Sequence, residues 1–133
     1  MQGVKSKDTR PEVIVRKRLH ALGNRFRIHR KDLPGTPDIV LPKYNIVIEV
    51  QGCFWHHHRG CAHARIPDTN REFWKKKIDA NIQRDKRNSY KLEVLGWKRH
   101  VIWECETENV DSLDQRLLAI LKSSQSSKKP DQE

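Results

Sequence analysis

The chain has 133 residues, enough for one hydrophobic core and short for two. Its 27 Lys and Arg against 17 Asp and Glu leave a formal net charge of +10, so a polyanion is the first partner to consider, because Lys and Arg contacts to phosphate release counterions. No run approaches the roughly 18 apolar residues of a membrane span, the stretch Met1-Gln2-Gly3-Val4-Lys5 lacks the apolar run of a secretory signal, and three cysteines cannot all pair internally. A soluble cytoplasmic protein with buried or metal-bound thiols is expected.

Thr9-Arg10-Pro11-Glu12 has the form of a capping box, in which Thr9 and Glu12 satisfy each other's backbone N–H groups. Val15, Leu19 and Leu22 then recur at helical spacing up to Gly23, which predicts an amphipathic helix of about four turns. Ten basic residues against two acidic ones between Lys5 and Lys31 make the polar surface of this segment positive. Asp38-Ile39-Val40-Leu41 and Ile46-Val47-Ile48-Glu49-Val50 flank Pro42-Lys43-Tyr44-Asn45, the pattern of a hairpin with a four-residue loop. If Leu41 faces Ile46, Asp38 faces Glu49.

A second box, Thr69 to Glu72, predicts a long helix ending at Gly96. Trp74, Ile78, Asn81, Asp85, Asn88, Leu92 and Leu95 form its inward seam, where the carboxylate of Asp85 is out of place by default. Residues 97–105 alternate as a strand, with Trp97, Arg99, Val101, Trp103 and Cys105 on one side. Asp111 can cap a last helix with the core stripe Leu113, Leu117, Ile120 and Leu121. From Ser123 the composition has nothing to bury, which sets a single domain over 1–122 and an unstructured tail over 123–133. There is no internal repeat.

Two carboxylates opposed on a hairpin repel unless something positive lies between them, and a hard cation such as Mg²⁺ suits Asp38 and Glu49. Pro37-Asp38, ten residues, then Glu49-Val50-Gln51 keeps the order of the PD-(D/E)xK nuclease pattern, with Gln51 in the lysine place. Glu49 and Gln51 share a strand face. Cys53, His58, Cys61 and the remote Cys105 offer three thiolates and an imidazole, a set suited to tetrahedral Zn²⁺ in a structural role, since four protein ligands leave no position for water. His57 or His63 can replace His58 in that set, and Cys53 and Cys105 can also be plain buried thiols.

At Gly52-Cys53-Phe54-Trp55-His56-His57-His58 the sequence resembles the very short patch repair endonucleases, which nick DNA at T:G mismatches left by deamination of 5-methylcytosine. The likeness continues through Lys7-Asp8-Thr9-Arg10-Pro11-Glu12, Asp32-Leu33-Pro34-Gly35-Thr36-Pro37-Asp38, Glu72-Phe73-Trp74, Arg84-Asp85-Lys86-Arg87, Gly96-Trp97 and Trp103-Glu104-Cys105, so it spans about residues 1–106. The resemblance implies Asp38 as the central Mg²⁺ ligand, His56 as the group that activates the attacking water, and Glu12 and Asp85 in the same acidic shell. It implies Cys53, His58, Cys61 and Cys105 as zinc ligands, with one extra residue before Cys61. It implies Phe54 and Trp55 as an aromatic wedge in the base stack, Met1 in an arm entering the other groove, and Trp74 among the DNA contacts. The best-known members carry a non-acidic residue in place of Glu49 and a histidine in place of Gln51, so this chain stands closer to the general nuclease pattern.

The expected fold is α/β, a restriction-endonuclease-like core with a central mixed sheet flanked by helices and a structural zinc site. The expected activity is Mg²⁺-dependent nicking of one strand of mismatched double-stranded DNA, by a monomer, with mismatch-repair proteins as possible partners and no membrane. The alternatives are a restriction-type or branched-DNA endonuclease using the same metal site, and a zinc-containing DNA-binding module without catalysis.

Overall fold

The structure, a computed structural model, describes residues 9–53, 58, 60, 61 and 65–128, with side chains as far as residue 123. Helix α1 (Arg10–Ala21) starts where Thr9 is extended and its hydroxyl accepts the N–H of Glu12 at 3.4 Å, with proline in the first turn. Only half of the expected capping box forms. The Glu12 carboxylate is buried and turns to Arg16 and His29 instead. The helix stops in 12 residues, shorter than the periodicity suggested, where Gly23 N–H bonds to His20 and Asn24 N–H to Leu19. Gly23 at φ +87° supplies the left-handed residue this ending needs.

Four strands form one mixed sheet in the order β1 (Arg27–Ile28), β2 (Ile39–Leu41), β3 (Ile46–Gln51) and β4 (Lys98–Trp103). The register Ile39↔Ile48, Val40↔Val47 and Leu41↔Ile46 is the one the alternating pattern predicts. The hairpin loop is a single 3-10 turn, Pro42–Tyr44, closed by Asn45 in the left-handed region. β1 has two residues, too few for any alternation to announce it in the sequence. β4 lies parallel to β3, which requires a crossover, and helix α2 (Arg71–Val94) is that crossover.

The sheet buries both faces. On one, Ile39, Leu41, Ile46, Ile48 and Ile102 pack against Val15 and Leu19 of α1 and against Leu113, Leu117 and Ile120 of helix α3 (Val110–Lys128). Full burial of such a side chain contributes about 1.5–3 kcal/mol. On the other face, Val40 and Val47 meet Leu33, Leu92 of α2 and Trp97.

Several boundaries differ from the sequence expectation for local reasons. The cap of α2 is Asn70 in left-handed backbone with no side-chain bond, so the Thr69–Glu72 box does not form. Leu95 is 59% exposed because α2 has already ended; Gly96 N–H bonds to Glu93 and Trp97 N–H to Leu92, with Gly96 at φ +93°. The last strand stops at Trp103, and Cys105 lies in the following 3-10 turn, Glu104–Glu108. Asn109, not Asp111, caps α3: its side-chain oxygen accepts the N–H of Ser112 at 2.9 Å. The backbone of α3 continues past Ser123 to Lys128, into the segment whose composition suggested a tail. No helix among the described residues is long and apolar enough to cross a membrane.

Candidate active site and metal cluster

Asp38 stands one residue before β2, where continuation of the hairpin register sets it opposite Glu49. Its Oδ2 accepts the backbone N–H of Val50 at 2.8 Å. At the same strand mouth, α1 delivers Glu12 and the residue after β1 delivers His29, so that ligating atoms of Glu12, His29 and Asp38 all lie within 4.8 Å of one another. The His29 backbone takes φ +49° and its N–H reaches Asp38 O at 3.3 Å. Its Nε2 meets the Glu12 carboxylate, which Arg16 also holds at 2.6 Å. No sequence pattern singles out His29; only the pairing of β1 with β2 brings it to the acids.

Burial pushes the Asp38 carboxyl up to about 7; the Val50 N–H opposes the rise, Glu12 and Glu49 add to it, and His29 counters. A carboxylate that is costly to ionise gains most from a dication, which supplies the missing positive charge. Two carboxylates with one imidazole form a donor set that a divalent ion fits.

The other inward acids form a second group. Glu49 is buried, and its Oε1 accepts Arg99 at 2.7 Å and the Gln51 amide at 3.3 Å. The Gln51 amide also reaches Asp85 Oδ2 at 3.3 Å, so the carboxylate on the inward seam of α2 does face β3. Gln51, Asp85, Arg99, Val101 and Trp103 line one groove of about 410 Å³ between α2 and the sheet. The alternation in residues 97–105 set Arg99 on this side but gave it no role.

The thiols converge as their spacing suggested. Ligating atoms of Cys53, His58, Cys61 and Cys105 all lie within 4.8 Å of one another, and His58 Nδ1 stands 3.7 Å from Cys53 Sγ and 3.5 Å from Cys105 Sγ. Zinc bonds of about 2.1–2.3 Å in a tetrahedron separate ligand atoms by about 3.6 Å, so the set fits Zn²⁺ in both chemistry and spacing. The His58 ring stacks on Trp103 with centroids 4.2 Å apart, and the Cys53 N–H reaches Glu104 at 3.3 Å, which ties the loop to the end of β4. Burial pushes the Cys53 thiol up to about 12 and raises that of Cys105. Without a cation these groups are thiols; a bound dication would make them thiolates.

Met1, Phe54, Trp55, His56, His57 and His63 lie outside the described residues. Trp74 is half-buried and meets the 53% exposed Phe73 edge to face. Along the same helix Lys75, Lys76, Lys77, Lys86, Arg87 and Lys91 are exposed, and Lys86 borders the groove beside Gln51 and Asp85.

Fold and site together define an α/β protein with two candidate cation centres, an oxygen-rich one at a strand mouth and a Cys3His cluster at the end of the neighbouring strands. Residues 1–63 match the model of the family described as DNA mismatch endonuclease Vsr. The chain is 38% identical over 118 residues to the DNA mismatch endonuclease Vsr of Escherichia coli, which covers 89% of this chain and 75% of that protein. It is 50% identical over 121 residues to the type II nicking enzyme V.XorIIP of Xanthomonas oryzae, covering 91% and 88%. It is 45% identical over 117 residues to the type II nicking enzyme V.NmeAIP of Neisseria meningitidis, covering 88% and 83%. The chain belongs to the Vsr family of DNA mismatch endonucleases.

Proposed function

We propose that this chain is a DNA endonuclease that nicks one strand of duplex DNA at T:G mismatches, in the manner of very short patch repair, by metal-dependent phosphodiester hydrolysis on a restriction-endonuclease-like core. The observation that carries the reading is the half-buried Asp38 carboxylate with the buried Glu12 and with His29 converging on it, in a chain of this family. Asp38 is the central ligand for Mg²⁺, with Glu12 beside it; His29 and Arg16 hold Glu12 in place. When bound, the ion supplies Lewis-acid stabilisation of charge at the phosphate and makes water more acidic. His56 takes the proton of the attacking water, a role that imidazole side chains commonly fill at neutral pH.

The Cys3His cluster acts as a structural Zn²⁺ site. Cys53 and His58 bracket residues 54–57, so the cluster holds both ends of the segment that carries His56 and the wedge residues Phe54 and Trp55. An apolar wedge enters a mismatched step at lower cost than a paired one, because the mismatched step is easier to unstack, and this converts weakness of the duplex into selectivity. The exposed Lys and Arg side chains of α2, with Trp74 at its start, and the N-terminal arm from Met1 supply contacts that do not depend on sequence. The enzyme acts as a monomer on DNA, in the cytoplasm, with mismatch-repair proteins as partners.

The test is a panel of T:G-mismatched, matched and branched duplexes incubated with Mg²⁺ and with EDTA. Selective nicking of the T:G duplex, abolished by EDTA, is expected. Cutting of matched duplexes at a fixed sequence, or of branched duplexes alone, would reassign the substrate. Binding without any cutting would leave a DNA-binding module.

A further inference from the structure

Glu49 carries the acid of the nuclease pattern, yet it stands outside the group formed by Glu12, His29 and Asp38. Its side chain is 12% exposed and that of Arg99 16%, and the two are joined at 2.7 Å. Arg99 comes from the adjacent parallel strand, where it is level with Val47, so its guanidinium reaches along β3 to Glu49. The Gln51 amide occupies the same Glu49 oxygen and ties it towards Asp85. A full negative charge at this depth is strongly stabilised by such a partner and resists leaving it.

We infer that Arg99 is a positioning residue of the nuclease centre, which withdraws Glu49 from metal coordination by pairing with it, so that the dication is held by the Asp38 group without Glu49. The inference rests on the proposed metal site at Asp38. It assigns to β4 the cation that the general pattern would place at residue 51, where this chain has the neutral Gln51, and it explains how an acid beside the site coexists with Asp38 instead of sharing the ion.

The experiment measures Mn²⁺ binding by electron paramagnetic resonance on full-length protein first saturated with zinc, so that the Cys3His cluster does not take up manganese. Asp38→Asn is expected to weaken Mn²⁺ binding by more than about 100-fold, beyond the loss typical of groups that only support a ligand. Glu49→Gln, which keeps an acceptor for Arg99, is expected to stay within about 3-fold of the parent, well inside the change that loss of a ligand causes. Arg99→Gln frees the Glu49 carboxylate and is expected to tighten binding roughly 10-fold, since affinity rises with ligand charge count. Because a lone buried charge can prevent folding, the double variant Glu49→Leu with Arg99→Leu removes both charges and is expected to bind Mn²⁺ like the parent. Weakening by Glu49→Gln comparable with that of Asp38→Asn, a folded Arg99→Gln variant with unchanged affinity, or a double variant that loses the ion would each overturn the inference. If Asp38→Asn binds Mn²⁺ as well as the parent, the metal site itself is misplaced and the inference goes with it.

Discussion

Asp38 and Val50 are joined across the mouth of the β2–β3 hairpin, where the carboxylate of the first accepts the backbone N–H of the second at 2.8 Å. The bond gives Asp38 two separable jobs, a structural one that any oxygen acceptor can do and a chemical one that needs charge. Asp38→Asn keeps the acceptor, so it should fold normally and lose nicking by more than about 100-fold, beyond the loss typical of groups that only support a ligand. Asp38→Ala should lose activity equally and also strand the Val50 N–H, at a cost of about 1–3 kcal/mol. Parallel nicking assays and melts separate the two effects; near-parental nicking by the Asn variant rules the site out.

The weakened acidity of Asp38 fixes the direction of a pH effect. Its folded value of about 7 lies above the ordinary 3.8, so the metal-free native state binds the proton more tightly than the unfolded chain does. The stabilising contribution of this group is therefore full below the ordinary carboxylate range, declines as pH rises towards about 7 and is flat beyond it. A dication must displace that proton, so Mn²⁺ affinity should climb up to about pH 7 and then level. Metal-free melts across this range, on the parent and on Asp38→Asn, isolate the group because other titrations cancel in the difference. A difference that does not change with pH contradicts the assignment.

Cys105→Ser should cost more stability than any exposed substitution, because Cys105 brings the Cys3His cluster a ligand from the turn after β4 and so joins the Cys53–Cys61 loop to it. Structural zinc contributes on the order of 10 kcal/mol to the folding of small metal-binding peptides, and the loss here should be a large fraction of that scale. Metal analysis should find about one zinc per chain in the parent, as expected for a closed four-ligand site, and a chelator should lower its melting temperature. A zinc-free preparation of parental stability would dispose of the cluster as a metal site.

Much of this architecture is legible because β-branched runs and their loop fix a register with no alternative, and because burying Leu113, Leu117 and Ile120 requires helical spacing. The Cys3His cluster is legible for a different reason: three cysteines and a histidine at such spacing are the usual signature of a metal site. His29 is not legible, since its role depends on a two-residue strand and a left-handed backbone that no periodicity records. The partner of Glu49 is half legible. Alternation sets Arg99 on the correct face, but which acid it meets depends on the offset between parallel strands, and residues on separate strands carry no common motif. Capping boxes proved the least informative pattern, because Glu12 had a stronger partner in the site and Asn70 capped α2 by backbone conformation alone.

The loop that carries Asp38 should tolerate no side chain at Gly35. This residue sits at φ +77°, where an L side chain costs about 1–2 kcal/mol, and an added Cβ would lie 2.9 Å from Asn88 Nδ2 and 3.2 Å from Asn88 Cβ on α2. Leu33 and Pro37 on either side are buried, and Thr36 N–H is bonded to Leu33, so the turn has little freedom to move outwards. Overpacking of this kind typically adds about 1–3 kcal/mol, which gives Gly35→Ala a total destabilisation of about 2–5 kcal/mol. Combining it with Asn88→Ala removes the nearer steric contacts but leaves the backbone strain and the Asn88 Cβ position, so stability should recover by about half. Nicking should fall further than stability alone explains, because any relief of the clash moves the turn three residues ahead of Asp38, and misplacement of a reacting group by about 1 Å can cost 100-fold in rate. Thermal melts of the single and double variants, with nicking assayed well below the melting temperature, decide the matter: a Gly35→Ala protein as stable and active as the parent would mean that the loop does not hold Asp38 against α2.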